Sequence, residues 1–322
     1  MKRILITGAL GQIGSELVLK LREIYGENNV VASSKSMEKE GSEEIIKSGP
    51  FEIVDVLNPQ QMADAVEKHD IDTIIHLASI LSAVGEAKPH LLWNVNMNGL
   101  YNALEVAREK NCGIFVPSSI AAFGPNTPKD LTPQDTIQRP TTIYGVSKVA
   151  GELLCDYYFE RFGVDARGVR FPGLISYKAL PGGGTTDYAV HIYYDALKTK
   201  EFICNIKEGT KMDMMYMPDA LDSIVQLMEA DPSKLKHRNA FNITAMSFGP
   251  EEIYAEIKKH IPEFTMRYEV DPVKQKIAES WPNSLDHSAA QSEWGWKPKY
   301  NLETMTIDML EKLRKKLNID TI

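Results

Sequence analysis

Cysteine is scarce in this chain of 322 residues, with Cys112, Cys155 and Cys204 far apart and no C-x-x-C pairing. Such spacing offers neither a disulfide framework nor a zinc site and is the usage of buried, reduced thiols in a cytoplasmic protein. The seven histidines include no H-E-x-x-H pattern, so no metal site is expected. Long apolar runs are absent as well. None approaches the roughly 18 residues of a bilayer span. The N-terminal run Ile4-Leu5-Ile6 breaks at Thr7-Gly8, short of the roughly 7–15 apolar residues of a signal peptide. No membrane partner is expected. Nor is there a cationic excess, because 36 Lys and Arg against 44 Asp and Glu leave a net charge of −8. Binding to a phosphate backbone depends on Lys and Arg, so no nucleic-acid partner is expected either. The one dense basic run, Lys312-Leu313-Arg314-Lys315-Lys316, reads as a solvated helix face.

What is present is an alternation of short apolar runs with helical patterns. Runs over 3–7, 29–32, 51–54, 72–77, 113–117 and 164–169 read as strands, with helical spacing over 15–25, 59–68, 89–110 and 142–162 between them. Six strands separated by helices predict an α/β fold, a Rossmann-type doubly wound parallel sheet. After Arg170 the rhythm changes, and Pro172-Gly173 and Pro181-Gly182-Gly183-Gly184 punctuate a loop-rich stretch. A strand over 211–217 leads into a helix from Pro218, and another strand covers 240–244. The expected division is a dinucleotide-binding domain over 1–175 and 209–244, with a smaller C-terminal substrate-binding lobe over 176–208 and 245–322.

Gly8-Ala9-Leu10-Gly11-Gln12-Ile13-Gly14 follows the first strand and opens the first helix. In such a turn one glycine permits the tight bend, one lets backbone approach a pyrophosphate, and one lets helix and strand pack closely. The helix N-terminus adds free N–H groups and the positive end of its dipole. About twenty residues on, where an acid often holds the ribose of NAD, stand Ser33-Ser34-Lys35. Serine can bond a ribose hydroxyl and lysine can pair with a 2′-phosphate, which leaves NAD and NADP both open at this point. Asp55-Val56, at the end of the third strand, is placed to hold an adenine edge.

Tyr144 and Lys148 stand four apart near the start of a helix, so phenol and ammonium share a face. A free phenol titrates near pH 10, too high for a base at neutral pH, and a neighbouring cation favours its charged form. Upstream, Pro117-Ser118-Ser119 follows the fifth strand, at the sheet edge where ligands of such folds bind. A hydroxyl there can hold a substrate alcohol beside the tyrosine.

These residues together resemble the extended branch of the short-chain dehydrogenase/reductase superfamily. The resemblance is carried by the Gly8–Gly14 turn, Asp55-Val56, His76-Leu77-Ala78, Asn96, Ser118-Ser119, Tyr144 with Lys148, and Arg170-Phe171-Pro172-Gly173. It implies Ser119 as the third catalytic residue beside Tyr144 and Lys148, with Ser118 as the alternative. It also implies that Lys148 holds the nicotinamide ribose, that Leu77, Ala78, Asn96 and Tyr144 contact the cofactor, and that Asn96 supports the active-site helix and a water.

More narrowly, the chain is similar to the L-threonine 3-dehydrogenase group of that branch across nearly its whole length. The specific stretches are Ile80 to Glu86, Asn94 to Gly99, Gly184-Thr185-Thr186-Asp187-Tyr188-Ala189, Met215 to Ala220, and Ser280-Trp281-Pro282. This likeness implies oxidation of L-threonine with NAD, and an amino-acid pocket lined by Ser82, Thr186, Asp187 and Trp281 beside Ser119 and Tyr144. It further implies a closing loop hinged at glycines 182–184. A homodimer through 142–162 and 89–110 is implied too, with Leu153, Leu154, Tyr157, Tyr158 and Phe159 available to it. Two departures from pattern stand out. Sugar-nucleotide enzymes of the branch carry an Arg-Asp pair where this chain has Met212-Asp213, and a methionine cannot grip a diphosphate. Threonine dehydrogenases usually have aspartate where Ser34 stands, and often threonine where Ser119 stands. The alternative readings are a sugar-nucleotide epimerase or dehydratase on the same scaffold and a non-catalytic dinucleotide sensor.

Overall fold

Ile4, Leu5 and Ile6 are completely buried, as a strand covered on both faces must be. They belong to β1 (Ile4–Thr7), the first of six parallel strands completed by β2 (Val30–Ser34), β3 (Phe51–Ile53), β4 (Thr73–His76), β5 (Gly113–Phe115) and β6 (Ala166–Arg167). Their spatial order is β3-β2-β1-β4-β5-β6. This is the doubly wound order whose switch point falls between β1 and β4. In register, Thr7 stands opposite both Ser33 and His76, so these three residues share the carboxyl end of the sheet beside that switch point. The chain has the α/β Rossmann-type fold expected from its pattern.

In the computed structural model, residues 1–38, 41–178, 182 and 184–319 are described, and two units can be distinguished. The first comprises Met1–Ala122, Thr142–Arg170 and Leu221–Phe241 and holds the six-stranded sheet. Its helices include α1 (Gln12–Tyr25), α2 (Pro59–Lys68), α3 (Gly99–Lys110) and α4 (Ile143–Phe162). α2 starts where the sequence says it must, with Asn58 accepting the Gln61 N–H and Pro59 at the first helical position. The sheet packs Leu5, Val31, Val54 and Ile74 against Met62, Leu104 and Cys155 in one apolar cluster.

Two expected elements are broken. The helix read over 89–110 is three pieces: Pro89–Trp93, a π turn over Asn94–Asn98, and α3. A π turn inserts one extra residue and re-aims side chains, and such bulges recur at functional sites. The strand read over 164–169 stops after Arg167. At Gly168 a Cβ would lie 2.2 Å from the Val116 carbonyl oxygen, so only glycine fits that approach and the chain restarts as a strand at Val169–Phe171.

The second unit comprises Phe123–Thr141, Phe171–Ala220 and Asn242–Ile322. In it Met212–Tyr216 pairs in parallel with Gly173–Ile175 and antiparallel with Met246–Phe248. Met212, Met214 and Met215 are fully buried, so the methionine cluster is packing. The strand expected over 240–244 is shortened to Phe241–Asn242. Among the described residues no helix is long and apolar enough to cross a membrane.

Candidate active site

The glycine turn is built for close approach. Gly8 has φ +66°, and a Cβ there would meet the Ala78 nitrogen at 2.7 Å. This ties the turn to the Leu77-Ala78 end of β4. A Cβ on Gly14 would lie 2.4 Å from the Gly8 carbonyl oxygen, the helix–strand packing role. α1 begins at Gln12 with Gly11 as its N-cap, no capping side chain and no acid in its first turn. The Gln12 Nε2 is buried without a protein partner among the described residues. An open helix N-terminus beside an unpaired amide donor fits the pyrophosphate of a dinucleotide. Ile13 lies half-buried in the same first turn.

At the next strand end, Ser33 is fully buried and donates to the Ile6 carbonyl. Ser34 is half-buried, and its carbonyl accepts the Val54 N–H. Lys35 is paired with Asp55, Nζ to Oδ2 at 2.9 Å. Asp55 Oδ1 accepts the Leu57 N–H at 3.0 Å. Burial raises the Asp55 carboxyl, but the Leu57 N–H and the Lys35 ammonium outweigh it and hold the group below its ordinary value. Val56 is buried, and its carbonyl accepts from Asn102.

Tyr144 and Lys148 occupy the first turns of α4, whose start is fixed twice. Thr142 accepts the Gly145 N–H at 3.0 Å, and Glu86 Oε1 accepts the Ile143 N–H at 2.8 Å. A carboxylate there also suits the helix dipole. Lys148 Nζ donates to the Pro117 carbonyl at 2.9 Å and stands 5.3 Å from the centre of the Tyr144 ring. The Tyr144 hydroxyl has no protein partner among the described residues and is free to meet a ligand. The two adjacent serines differ in their hydrogen bonds. The Ser118 hydroxyl donates to buried Glu152, whereas Ser119 Oγ accepts the Ala121 N–H at 3.2 Å and keeps its own proton to donate.

Behind these groups runs a buried polar network. Asn96, in the π turn, accepts the Ile80 N–H at 2.8 Å, donates to the Ile80 carbonyl at 3.1 Å and reaches Ser147 Oγ at 3.4 Å. Ser147 donates in turn to the Tyr144 carbonyl at 2.7 Å. The Asn96 amide is therefore spent on holding the loop after β4 against the start of α4. Glu152 accepts from Arg170 through both oxygens, at 3.0 and 2.8 Å. His76 Nδ1 lies 3.0 Å from Thr7 Oγ1. Burial, with the Lys148 ammonium adding to it, pulls the His76 imidazole down to about 4, so it is neutral at physiological pH. His76, Asn96, Ser118, Ser147, Lys148 and Glu152 line a cavity of about 30 Å3, room for one or two waters.

Sequence reasoning gave no role to Glu86, Ser147, Glu152 or Arg170. The i+4 series Tyr144, Lys148, Glu152 was a usable signal, since a carboxylate continues the face of the helix that carries the phenol and the ammonium.

Ser82 is buried at the start of the short helix Ser82–Ala87. In the second unit, Thr186 packs its methyl against Gly173, where a Cβ would meet it at 2.7 Å. Asp187 Oδ2 accepts the Gly184 N–H at 2.6 Å. Trp281 is buried at 8% exposure. Of the expected hinge, Gly183 lies outside the described residues, as does Pro181. On α4, Leu153 and Tyr157 are exposed, Leu154 and Phe159 half-buried, and Tyr158 buried.

A Rossmann sheet with a glycine turn at its switch point, and Ser119, Tyr144 and Lys148 in the same unit, defines an enzyme of the extended short-chain dehydrogenase/reductase type. Residues 4–244 match the NAD dependent epimerase/dehydratase family, and the chain belongs to it. It is 57% identical to an uncharacterized epimerase/dehydratase of Staphylococcus haemolyticus over 98% of this chain and 99% of that one. Its structure is similar to that of L-threonine dehydrogenase from Clostridium difficile, at 66% identity and TM-score 0.96 over 98% of both chains. It also resembles L-threonine 3-dehydrogenase from Trypanosoma brucei, at 41% identity and TM-score 0.96 over 100% of both.

Proposed function

We propose that this chain oxidises the 3-hydroxyl of L-threonine to 2-amino-3-oxobutanoate, with NAD+ as the acceptor. What carries the reading is the full-length likeness to L-threonine dehydrogenases at up to 66% identity, in a chain that carries Ser119, Tyr144 and Lys148 within one unit. Gly8, Gly11, Gln12, Ile13 and Gly14 would hold the pyrophosphate, and Leu77, Ala78 and Lys148 the nicotinamide riboside. Bound NAD+ supplies the hydride acceptor. The chain's own residues supply position and a proton path. Ser119 donates a hydrogen bond from its hydroxyl to the substrate oxygen and orients it. Tyr144, in its phenolate form, takes the proton of the 3-hydroxyl and is left as a neutral phenol, with the Lys148 ammonium 5.3 Å from its ring. Ser82, Thr186, Asp187 and Trp281 are proposed to bind the amino acid, and the exposed Leu153 and Tyr157 of α4 to serve a homodimer. A sugar nucleotide fits less well, because Met212 is fully buried where a diphosphate-gripping arginine would stand.

The test is reduction of NAD+ on addition of L-threonine to purified protein, with Tyr144→Phe as control. The expected result is threonine-dependent NADH formation that falls about 10²–10⁴-fold in the variant. No NADH from wild-type protein and threonine would overturn the reading.

A further inference from the structure

The strand end that faces an adenine ribose in such folds carries no acid here. β2 closes on Ser33 and Ser34, and Lys35 follows. An unpaired lysine there would favour a cofactor with a 2′-phosphate, a group bearing about −1.5 to −2 charges at neutral pH. Lys35 is paired. Ser34 stands opposite Ile53 in the parallel register of β2 and β3, which brings the residues just beyond each strand side by side. There Lys35 Nζ lies 2.9 Å from Asp55 Oδ2, with side-chain exposures of 76% and 30%.

The two partners are not equally held. Asp55 Oδ1 accepts the Leu57 N–H at 3.0 Å, and the Asp55 N–H donates to Gln61 Oε1 at 2.9 Å. The carboxylate is fixed by its own turn, and the lysine is the movable arm. We infer that Asp55 sets the dinucleotide preference of this chain, its carboxylate both neutralising Lys35 and repelling a 2′-phosphate. It thereby does from β3 what an acid at the end of β2 would do. The inference rests on the reading of the glycine turn as an NAD site. An exposed ion pair is weak on its own, so Lys35 is recruitable once the carboxylate charge is gone. Like-charge repulsion against a wrong ligand is the stronger device.

The experiment is titration calorimetry of the purified protein with NAD+ and NADP+. ADP and adenosine 2′,5′-bisphosphate serve as fragment probes. Asp55→Asn keeps an oxygen for the Leu57 N–H and removes the charge. It is expected to raise the ratio of NADP+ to NAD+ affinity about tenfold or more. Asp55→Ser, which also keeps an oxygen, gives the same direction and guards against a fold defect in one variant. Adding Lys35→Ala to Asp55→Asn is expected to reverse most of the gain, and Lys35→Ala alone to leave the ratio no higher than wild type. An unchanged ratio in both Asp55 variants, with wild-type protein binding NAD+, would overturn the inference. So would a rise in Lys35→Ala alone. Wild-type protein that binds neither dinucleotide would remove the NAD reading itself, and this inference with it.

Discussion

The Asn96 carboxamide closes a two-bond ring on Ile80, accepting its N–H at 2.8 Å and donating to its carbonyl at 3.1 Å. One side chain thus satisfies both backbone groups of a loop residue just past β4. Through Ser147 it also reaches the turn that carries Tyr144. Asn96→Ala strands these groups, at a loss of about 1–3 kcal/mol for a buried unpaired group. The expected outcome is a melting temperature lower by several degrees and a kcat that falls more than KM rises. Asn96→Asp keeps the acceptor but sets a second lone pair against the Ile80 carbonyl, and is expected to be no better. Wild-type melting and turnover in both variants would refute the positioning role.

Ser119 and Ser118 differ in what their hydroxyls are already doing. Ser118 donates to Glu152, while Ser119 accepts from the Ala121 N–H and retains its proton. Ser119→Ala is expected to lower kcat about 10²–10³-fold, the loss typical of one positioned donor. Ser119→Thr, which keeps the hydroxyl, should stay within about tenfold of wild type by the same reasoning. Steady-state kinetics on L-threonine distinguish the two, and a Ser119→Ala enzyme with normal kcat would move the role elsewhere.

The sheet was legible because its strands are compact apolar runs punctuated by Gly, Pro, Asn or Asp, and because Asn58-Pro59 marks a helix start without ambiguity. The nearness of Tyr144 and Lys148 was legible because a fixed spacing of four translates directly into a shared face. What escaped depends on registers and depths that no spacing encodes. The Lys35–Asp55 pair exists only because β2 and β3 run parallel with Ser34 opposite Ile53. The π turn over Asn94–Asn98 leaves no mark in a helical pattern. The difference between the two adjacent serine hydroxyls depends on Glu152, which lies buried beside one of them.

Arg170 and Glu152 form a two-pronged pair with side-chain exposures of 7% and 5%. Removing one partner of such a pair leaves the other charge buried and destabilises by about 3–5 kcal/mol. Arg170→Leu is expected to lose that much in urea unfolding. The double variant Arg170→Leu with Glu152→Leu is expected to recover a substantial part of it, since no lone charge remains. A double variant as unstable as the sum of the single ones would show that the two side chains act independently.

Asp213 presents the opposite case, a buried carboxyl without a cation partner among the described residues. Burial drives it up from 3.8 to about 8, against the Thr244 hydroxyl and the Leu285 and Met214 N–H groups, which favour its charged form. Between about pH 4 and about pH 8 the folded state holds a proton that the unfolded chain has released. The contribution of Asp213 is therefore full below about pH 4, declines as pH rises, and is gone above about pH 8. The slope cannot exceed about 1.4 kcal/mol per pH unit for one proton. Asp213→Asn carries no titrating group and offers one acceptor oxygen instead of two, so it shifts stability by a constant and removes the slope. Urea unfolding of both proteins from about pH 5 to about pH 9 should show wild type losing stability relative to the variant as pH rises. A flat difference would mean that the three donors win and that Asp213 is ionised throughout.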